Sequence, residues 1–356
     1  MAKLRAVLFG ATGLAGQQFV SALKAHPWFE LAAVSASPRN AGRLYGEALA
    51  QGGWFLAEPI PEGAASLPLL EASKVQAQDF DLAFSAVEAD VARELEPRLA
   101  RHIPVFSTAS AFRYEADVPL LLPPINASHL ALVRAQRARG FEGYVVPIPN
   151  CTATGLAVAL APLAERFGVE AVLMTSLQAV SGAGRSPGVA ALDVLDNVIP
   201  FIPKEEGKVE AETRKILGRW LPGQSEVTAH AMRVSATCTR VAVLEGHTET
   251  VSVSLGRAAA LDEVFAAMRD WAGDAAARDL PSSPPRWIQM HQAVDRPQPR
   301  LDREAHQGMA TSVGRLREEP VLPHGVKFVL VSHNTKLGAA KGAVLVAELA
   351  KGQGFL

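Results

Sequence analysis

Cys151 stands in the stretch Val146-Pro-Ile-Pro-Asn-Cys-Thr-Ala-Thr-Gly155, between a proline-punctuated segment and an apolar helical run from Gly155 to Phe167. It is one of two cysteines in the chain. A thiol at that junction lies at a helix N-terminus, where unpaired backbone N–H groups and the helix dipole favour the thiolate. The expectation is a depressed thiol pKa and fast alkylation. The same N–H groups could hold the oxyanion formed when the thiolate attacks a carbonyl carbon. Asn150 and Thr152 could equally cap the helix with no chemistry at all.

Other residues could serve such a nucleophile. His247 follows a turn-like Glu-Gly just before a strand, and its ordinary pKa range suits acid/base work. With nine histidines in the chain, a surface or core role competes with that reading. Arg240 precedes His247 by seven residues, which on one continuous strand puts the two on opposite faces. A turn between them would let both face a common cleft, where an arginine could grip a carboxylate in two hydrogen bonds. Glu205 and Lys208, three apart at the start of an amphipathic helix over 205–217, read by spacing as an exposed ion pair. Arg113 follows a strand end and could hold an anion or cover surface. Gln178 lies where a strand runs into a glycine loop.

A second motif lies near the N-terminus. The run Gly10-Ala-Thr-Gly13-Leu-Ala-Gly16 follows an apolar strand, Leu4 to Phe9, and precedes a helical pattern with Phe19, Val20 and Leu23 on one face. Glycines there permit a tight turn and let backbone amides approach a pyrophosphate, whose charge the helix N-terminus favours. An NAD site would show an acidic residue about twenty positions further on. The chain has Ser35, Ser37 and Arg39 there instead, and hydroxyls with a guanidinium suit the 2′-phosphate of NADP.

The elements that must position these groups follow from periodicity. Strand-like runs at Leu31–Val34, Leu82–Ala86 and Val105–Ser107, alternating with helices, predict a parallel, doubly wound α/β sheet. After Cys151 the alternation at Val172–Val180, Glu226–Val234 and Thr248–Leu255 predicts an α+β region with a mainly antiparallel sheet, helices on one face, and one helix at Leu261–Ala272. Residues Pro281–Arg303 read as an extended crossing segment, Val326–His333 as a strand and Gly338–Leu349 as a Gly/Ala-rich helix. At 356 residues the chain has room for two domains. A formal charge of -1 gives no field for nucleic acid or anionic membrane. Two cysteines make no disulfide framework, no Cys/His spacing suggests a metal, and no apolar run is long enough for a signal core or a membrane span. The expectation is a cytoplasmic protein.

Taken together, the motifs resemble aspartate-β-semialdehyde dehydrogenases over nearly the whole chain. The resemblance rests on the N-terminal glycine motif with its Ser/Pro/Arg loop, Pro149-Asn-Cys-Thr-Ala-Thr154, Glu205-Glu-Gly-Lys208 and Arg240 with His247. The run Ala190–Ile202, the stretch Asp295-Arg-Pro-Gln-Pro-Arg-Leu-Asp302 and His333-Asn-Thr-Lys-Leu-Gly338 resemble the branch shared by archaea and fungi. Pro124 and Thr108 stand where that branch often has Glu and Asn.

The resemblance implies a Rossmann-type NADP-binding domain (1–148 with 334–356) and a catalytic and dimerisation domain (149–333). It makes Cys151 the acylated residue, with His247 and Gln178 beside it. It assigns Arg240, Glu205, Lys208, Arg113 and Asn150 to the substrate. It assigns Gly10, Thr12, Gly13, Leu14, Ala15, Gly16, Ser35, Ser37, Arg39, Ser85, Ser181, Gly182 and Asn334 to the cofactor. The implied reaction reduces aspartyl phosphate to aspartate semialdehyde and phosphate in a homodimer or homotetramer. A malonyl-CoA or N-acetylglutamyl-phosphate reductase is the alternative within enzymes. A nucleotide-binding redox sensor, with Cys238 resolving Cys151, is the alternative outside them.

Overall fold

A computed structural model describes residues 2–183 and 191–356, without the side chains of 51, 52, 191 and 192. Ala190, at the head of one of the branch-like runs, lies outside the described residues. In chain order the first half holds β1 (Leu4–Phe9), α1 (Leu14–Ala22), β2 (Phe29–Ala36), α2 (Tyr45–Gly52), β3 (Leu69–Glu71), β4 (Leu82–Ser85), α3 (Ala89–Ala100), β5 (Val105–Ser107) and β6 (Val145–Pro147). The second half holds α4 (Cys151–Phe167), β7 (Val169–Gln178), α5 (Glu205–Ile216), β8 (Arg233–Arg240) and β9 (His247–Leu255). It continues with α6 (Leu261–Arg269), β10 (Ile288–Met290), β11 (Thr311–Glu318), β12 (Gly325–Ser332) and α7 (Ala340–Gly352).

The first six strands form one sheet in the order β3-β2-β1-β4-β5-β6, every pair parallel. The strand order reverses between β1 and β4, and in doubly wound sheets the crevice at that reversal takes the ligand. Gly10 closes β1 with φ +77, and a Cβ on it would run into the Ala86 carbonyl just past β4. Only glycine fits this approach. Phe19 and Val20 of the following helix, with Leu23 capping its end, turn inward to the same core as Leu8 and Phe84. The Gly/Ala-rich α7, far away in sequence, joins that core through Ala343, Val344 and Ala347. Its small side chains let it lie close to α1.

The other six strands form a sheet ordered β10-β11-β12-β9-β7-β8, antiparallel through its centre and parallel at both edge pairs. One face carries Val172, Met174, Val251, Val253 and Phe328, packed under α4, α5 and α6. Thirteen of the 17 residues of α4 are buried, so this helix is core on all sides.

The alternation at 226–234 is not where the strand lies. The paired strand is Arg233–Arg240, whose inward Ala236, Cys238 and Arg240 alternate with Ser and Thr. Residues 226–232 make a single bridge, Arg219 with Thr228, because no strand runs beside them. Small or polar inward residues hid the true strand. The helix expected at Leu261–Ala272 stops at Arg269, and the 281–303 segment contributes the three-residue edge strand β10.

Candidate active site

The six-residue turn 241–246 links the end of β8 to the start of β9, so Arg240 and His247 come to one cleft instead of opposite faces. Gly182, in a one-turn helix after β7, lies against both. A Cβ there would sit 3.0 Å from Arg240 Nη1 and 3.0 Å from His247 Cε1. Across the cleft floor is Cys151, the first residue of α4, with its Sγ 3.2 Å from His247 Nε2.

Asn150 builds the helix start. Its side-chain oxygen accepts from the N–H groups of Thr152 and Ala153, as a cap should. Those two donors are therefore taken, and the helix terminus offers an oxyanion fewer N–H groups than the sequence implies. Gly338 presses on the same spot: a Cβ there would come within 2.8 Å of Cys151 Cβ. Gly338, at the end of the His333–Gly338 run, thus leaves room for the Cα and Cβ of Cys151.

His247 is wholly buried. The Ala179 N–H donates to its Nδ1 at 3.1 Å. The neutral ring must then carry its proton on Nε2, facing the sulfur. Burial, with Arg240 and His333 nearby, pushes its pKa down to about 3. The ring is therefore a neutral donor toward the sulfur at physiological pH.

The depressed thiol pKa expected for Cys151 is corrected by this surrounding. Burial and the Glu205 carboxylate push it up to about 12, against the smaller pull of Arg113, Arg240 and the Thr152 N–H. A helix terminus alone does not win when the charge it would stabilise is removed from water beside an acid.

Glu205 is not half of a surface ion pair. It is buried, and its Oε1 accepts from Asn150 Nδ2 at 2.8 Å and Gln178 Nε2 at 3.2 Å. Lys208 Nζ, more exposed, stands 3.8 Å from its Oε2. Gln178 also donates to Ser176 Oγ at 3.2 Å. The Arg240 guanidinium, buried, donates to the Ala179 carbonyl at 2.6 Å. Arg113 is buried too, and it is paired with Glu212 at 3.1 Å. One cleft therefore gathers Cys151, His247, Gln178, Glu205, Lys208, Arg240, Asn150 and Arg113.

The candidates for a dinucleotide fall into two groups. Gly10, Thr12, Gly13, Leu14, Ala15 and Gly16 form the loop and first turn of α1, with Ser35 and Ser85 at the ends of β2 and β4. Ser37 and Arg39 lie in the exposed turn after β2. The Ser35 hydroxyl is buried without a hydrogen-bond partner, as a group reserved for a ligand would be, whereas the Ser85 hydroxyl lies against the Glu96 carboxyl. The second group sits by the catalytic turn: Asn334 donates to Ser181 Oγ at 2.8 Å and accepts from the Gly246 N–H at 2.9 Å. Gln18 of α1 bridges the groups by donating to Thr335 Oγ1 at 3.1 Å.

Several neighbours were not anticipated from sequence. The Ala179 N–H that sets the His247 tautomer is a backbone group with no residue signature. Glu212 had a signal, since Glu205, Lys208 and Glu212 are spaced i, i+3, i+7 on one helix face. Cys238 lies wholly buried in β8, its thiol pushed up to about 12 by burial, and both cysteines are free. No helix among the described residues is long and apolar enough to cross a membrane.

Comparison with known proteins identifies the family of the chain. Residues 5–133 match the semialdehyde dehydrogenase NAD binding domain, and residues 160–337 the semialdehyde dehydrogenase dimerisation domain. The chain is 41% identical to an aspartate-semialdehyde dehydrogenase of Methanothermobacter thermautotrophicus, over 96% of this chain and 97% of that one. It is 42% identical to the enzyme of that name from Cryptococcus neoformans, over 99% and 98%. The crystal structure of the aspartate semialdehyde dehydrogenase of Candida albicans with NADP superposes over 100% of both chains, with a TM-score of 0.89 and 37% identity.

Proposed function

The chain belongs to the aspartate-semialdehyde dehydrogenase family, and on that premise we propose that it reduces L-aspartyl 4-phosphate to L-aspartate 4-semialdehyde and phosphate, using NADPH and a thioester on Cys151. The product feeds lysine, threonine, methionine and isoleucine biosynthesis. The observation that carries the reading is the Cys151 Sγ to His247 Nε2 approach of 3.2 Å at the start of α4, with buried Glu205 and Arg240 on the same cleft.

The substrate carries a carboxylate, an ammonium and an acyl phosphate. Arg240 takes the carboxylate, Glu205 the ammonium, and Lys208 with Arg113 the phosphate. The ammonium also neutralises Glu205, which removes one of the two influences that hold the thiol protonated. Cys151 Sγ then bonds to the acyl carbon, the carbon–oxygen bond to phosphate breaks, and the thiol proton leaves with the phosphate. NADPH, when bound, supplies the hydride that reduces the thioester carbon. The carbon–sulfur bond of the resulting hemithioacetal breaks to free the aldehyde. His247 hydrogen-bonds from its Nε2–H to the carbonyl oxygen while that oxygen is negative and to the thiolate as it departs, and a proton from solvent restores the Cys151 thiol.

For the cofactor, the glycine loop, the orphaned Ser35 hydroxyl and Ser85 lie at the strand-order reversal between β1 and β4. Arg39 is exposed on the adjoining turn with no acidic residue beside it in sequence. Arg39→Ala should weaken NADPH binding by tenfold or more, about 1.4 kcal/mol, and NADH binding far less. Fluorescence titration of both cofactors checks this; equal losses would show that the loop does not read the 2′-phosphate.

We assign residues 1–148 and 334–356 to the NADP-binding domain and 149–333 to catalysis and self-association, as a homodimer or homotetramer in the cytoplasm. The match to a dimerisation domain supports this, as do the exposed Leu173 on the outer face of the second sheet and two free cysteines. A resolving partner for a redox switch should be accessible and readily ionised, and Cys238 is neither.

The deciding assay follows NADPH formation with phosphate and a panel of aldehydes. Aspartate semialdehyde should far outpace N-acetylglutamate semialdehyde, glyceraldehyde 3-phosphate, and malonate semialdehyde with CoA. Malonate semialdehyde offers Glu205 no ammonium. If it wins, the enzyme is an acyl-CoA reductase.

A further inference from the structure

Glu212 is completely buried one turn beyond Lys208 on α5, and its carboxylate is held from three directions. Arg113 Nη1 donates to Oε1 at 3.1 Å, and the Tyr114 hydroxyl donates to the same oxygen at 3.1 Å. The backbone N–H of Asn150, at the entry to α4, donates to Oε2 at 2.6 Å. Arg113 is itself clamped at its other terminal nitrogen, Nη2, which donates to the Thr108 carbonyl at 2.9 Å. Its Nε is buried with no partner. Both ends of the guanidinium fork are thus tied back to protein, Nε is left as its one unsatisfied donor, and the charge of the group as a whole acts to lower the Cys151 pKa.

A buried ion pair of this kind is an uneconomical way to hold a fold, because desolvating both charges offsets most of their attraction. A buried donor left unpaired adds a further cost. Both costs have a purpose if the guanidinium must present one particular edge to an anion that comes and goes. Arginine has several rotatable bonds, and an unrestrained one would lose that entropy each time it met phosphate. Glu212 prevents this, and through the Asn150 N–H it ties the same carboxylate to the start of the nucleophile helix. The acid that aims the guanidinium is therefore rigidly connected to the backbone carrying Cys151.

We propose that Glu212 is a positioning residue for the phosphate step: it fixes the Arg113 guanidinium relative to Cys151, so that Arg113 meets the departing or entering phosphate in register with the sulfur. The proposal rests on Arg113 holding phosphate, as read above. It extends that reading to a residue which touches no substrate and acts through another side chain.

Two effects of removing the carboxylate have opposite signs. Loss of orientation raises the KM for phosphate. Loss of a negative charge beside Arg113 by itself lowers it. The experiment measures steady-state kinetics of the full-length enzyme in the direction that consumes aspartate semialdehyde and inorganic phosphate. Arg113→Gln first tests the underlying reading and should raise the KM for phosphate by tenfold or more, roughly; no rise would remove Arg113 from the phosphate site. Given that rise, Glu212→Gln should raise the KM for phosphate about tenfold while the KM for aspartate semialdehyde stays within about threefold. In the Arg113→Gln, Glu212→Gln double variant, the second substitution should add less than about twofold to the KM for phosphate. That pair also leaves no buried charge unpaired.

A residue that merely holds the fold would change both KM values together, or add its effect to that of Arg113→Gln. Either result overturns the proposal, as does a KM for phosphate that is unchanged or falls. Should Glu212→Gln fail to fold, Tyr114→Phe reads the same clamp from a side chain that is 55% exposed. It should raise the KM for phosphate roughly two- to threefold and leave that for the aldehyde alone; no change overturns the proposal.

Discussion

Cys151→Ala is expected to abolish turnover, with kcat falling by at least about ten-thousandfold, roughly 5 kcal/mol of transition-state stabilisation. The size follows from chemistry. The thioester is the species that accepts hydride, and no other side chain of the described cleft can form one. His247, the nearest neighbour of the sulfur, is a neutral ring whose facing nitrogen carries its proton and cannot substitute as a nucleophile. Alanine keeps the Cβ that packs against Gly338, so the fold and the distant glycine loop should be undisturbed. NADPH titration should therefore give a nearly unchanged affinity. Residual activity above a few per cent would remove Cys151 from the mechanism. Cys238→Ala, in the core of the second sheet, should cost some stability and little activity. Equal damage from both would revive the two-thiol switch.

Arg240→Lys should lower kcat/KM for aspartate semialdehyde roughly ten- to a thousandfold, about 1.4–4 kcal/mol. Arg240 is buried, spends one nitrogen on the Ala179 carbonyl at 2.6 Å, and keeps the rest of its planar fork for the substrate carboxylate. Lysine has a single charged nitrogen and cannot serve both partners in that geometry. Ala179 is also the residue whose N–H fixes the His247 ring, so a displaced cation at position 240 disturbs the tautomer as well as the carboxylate. The loss should therefore fall on kcat as well as KM, which initial-rate measurements at saturating phosphate separate. A change of less than about threefold would mean that the carboxylate binds elsewhere.

Much of this arrangement is legible in contiguous residues. The run Leu4–Phe9 into Gly10-x-x-Gly13-x-x-Gly16 reads as strand, turn and helix because its apolar run and its glycine spacing act within a dozen residues. Asn150 before Cys151 marks a helix start for the same local reason, and the structure places the helix there. Strand β8 was harder to read. Its inward side chains are alanine, cysteine and arginine, so the period-two signal that identifies a strand by hydrophobicity is weak there, and the alternation at 226–234 stands out ahead of the true strand.

Sequence by itself determined which residue types were available and which short elements would carry them: a thiol at a helix N-terminus, a histidine and an arginine flanking a turn, a glycine loop without an acid after β2. Tertiary structure decided what those groups are. It buried Cys151 and brought Glu205 beside it, and so raised a thiol pKa that the helix terminus alone would lower. It set an Ala179 N–H against His247 and so chose the tautomer. It paired Arg113 with Glu212 across 99 positions. The physical reason is range. Helix capping and strand alternation arise between neighbours in the chain, whereas desolvation and charge pairing depend on every group within a few ångströms in space, most of them supplied by distant segments.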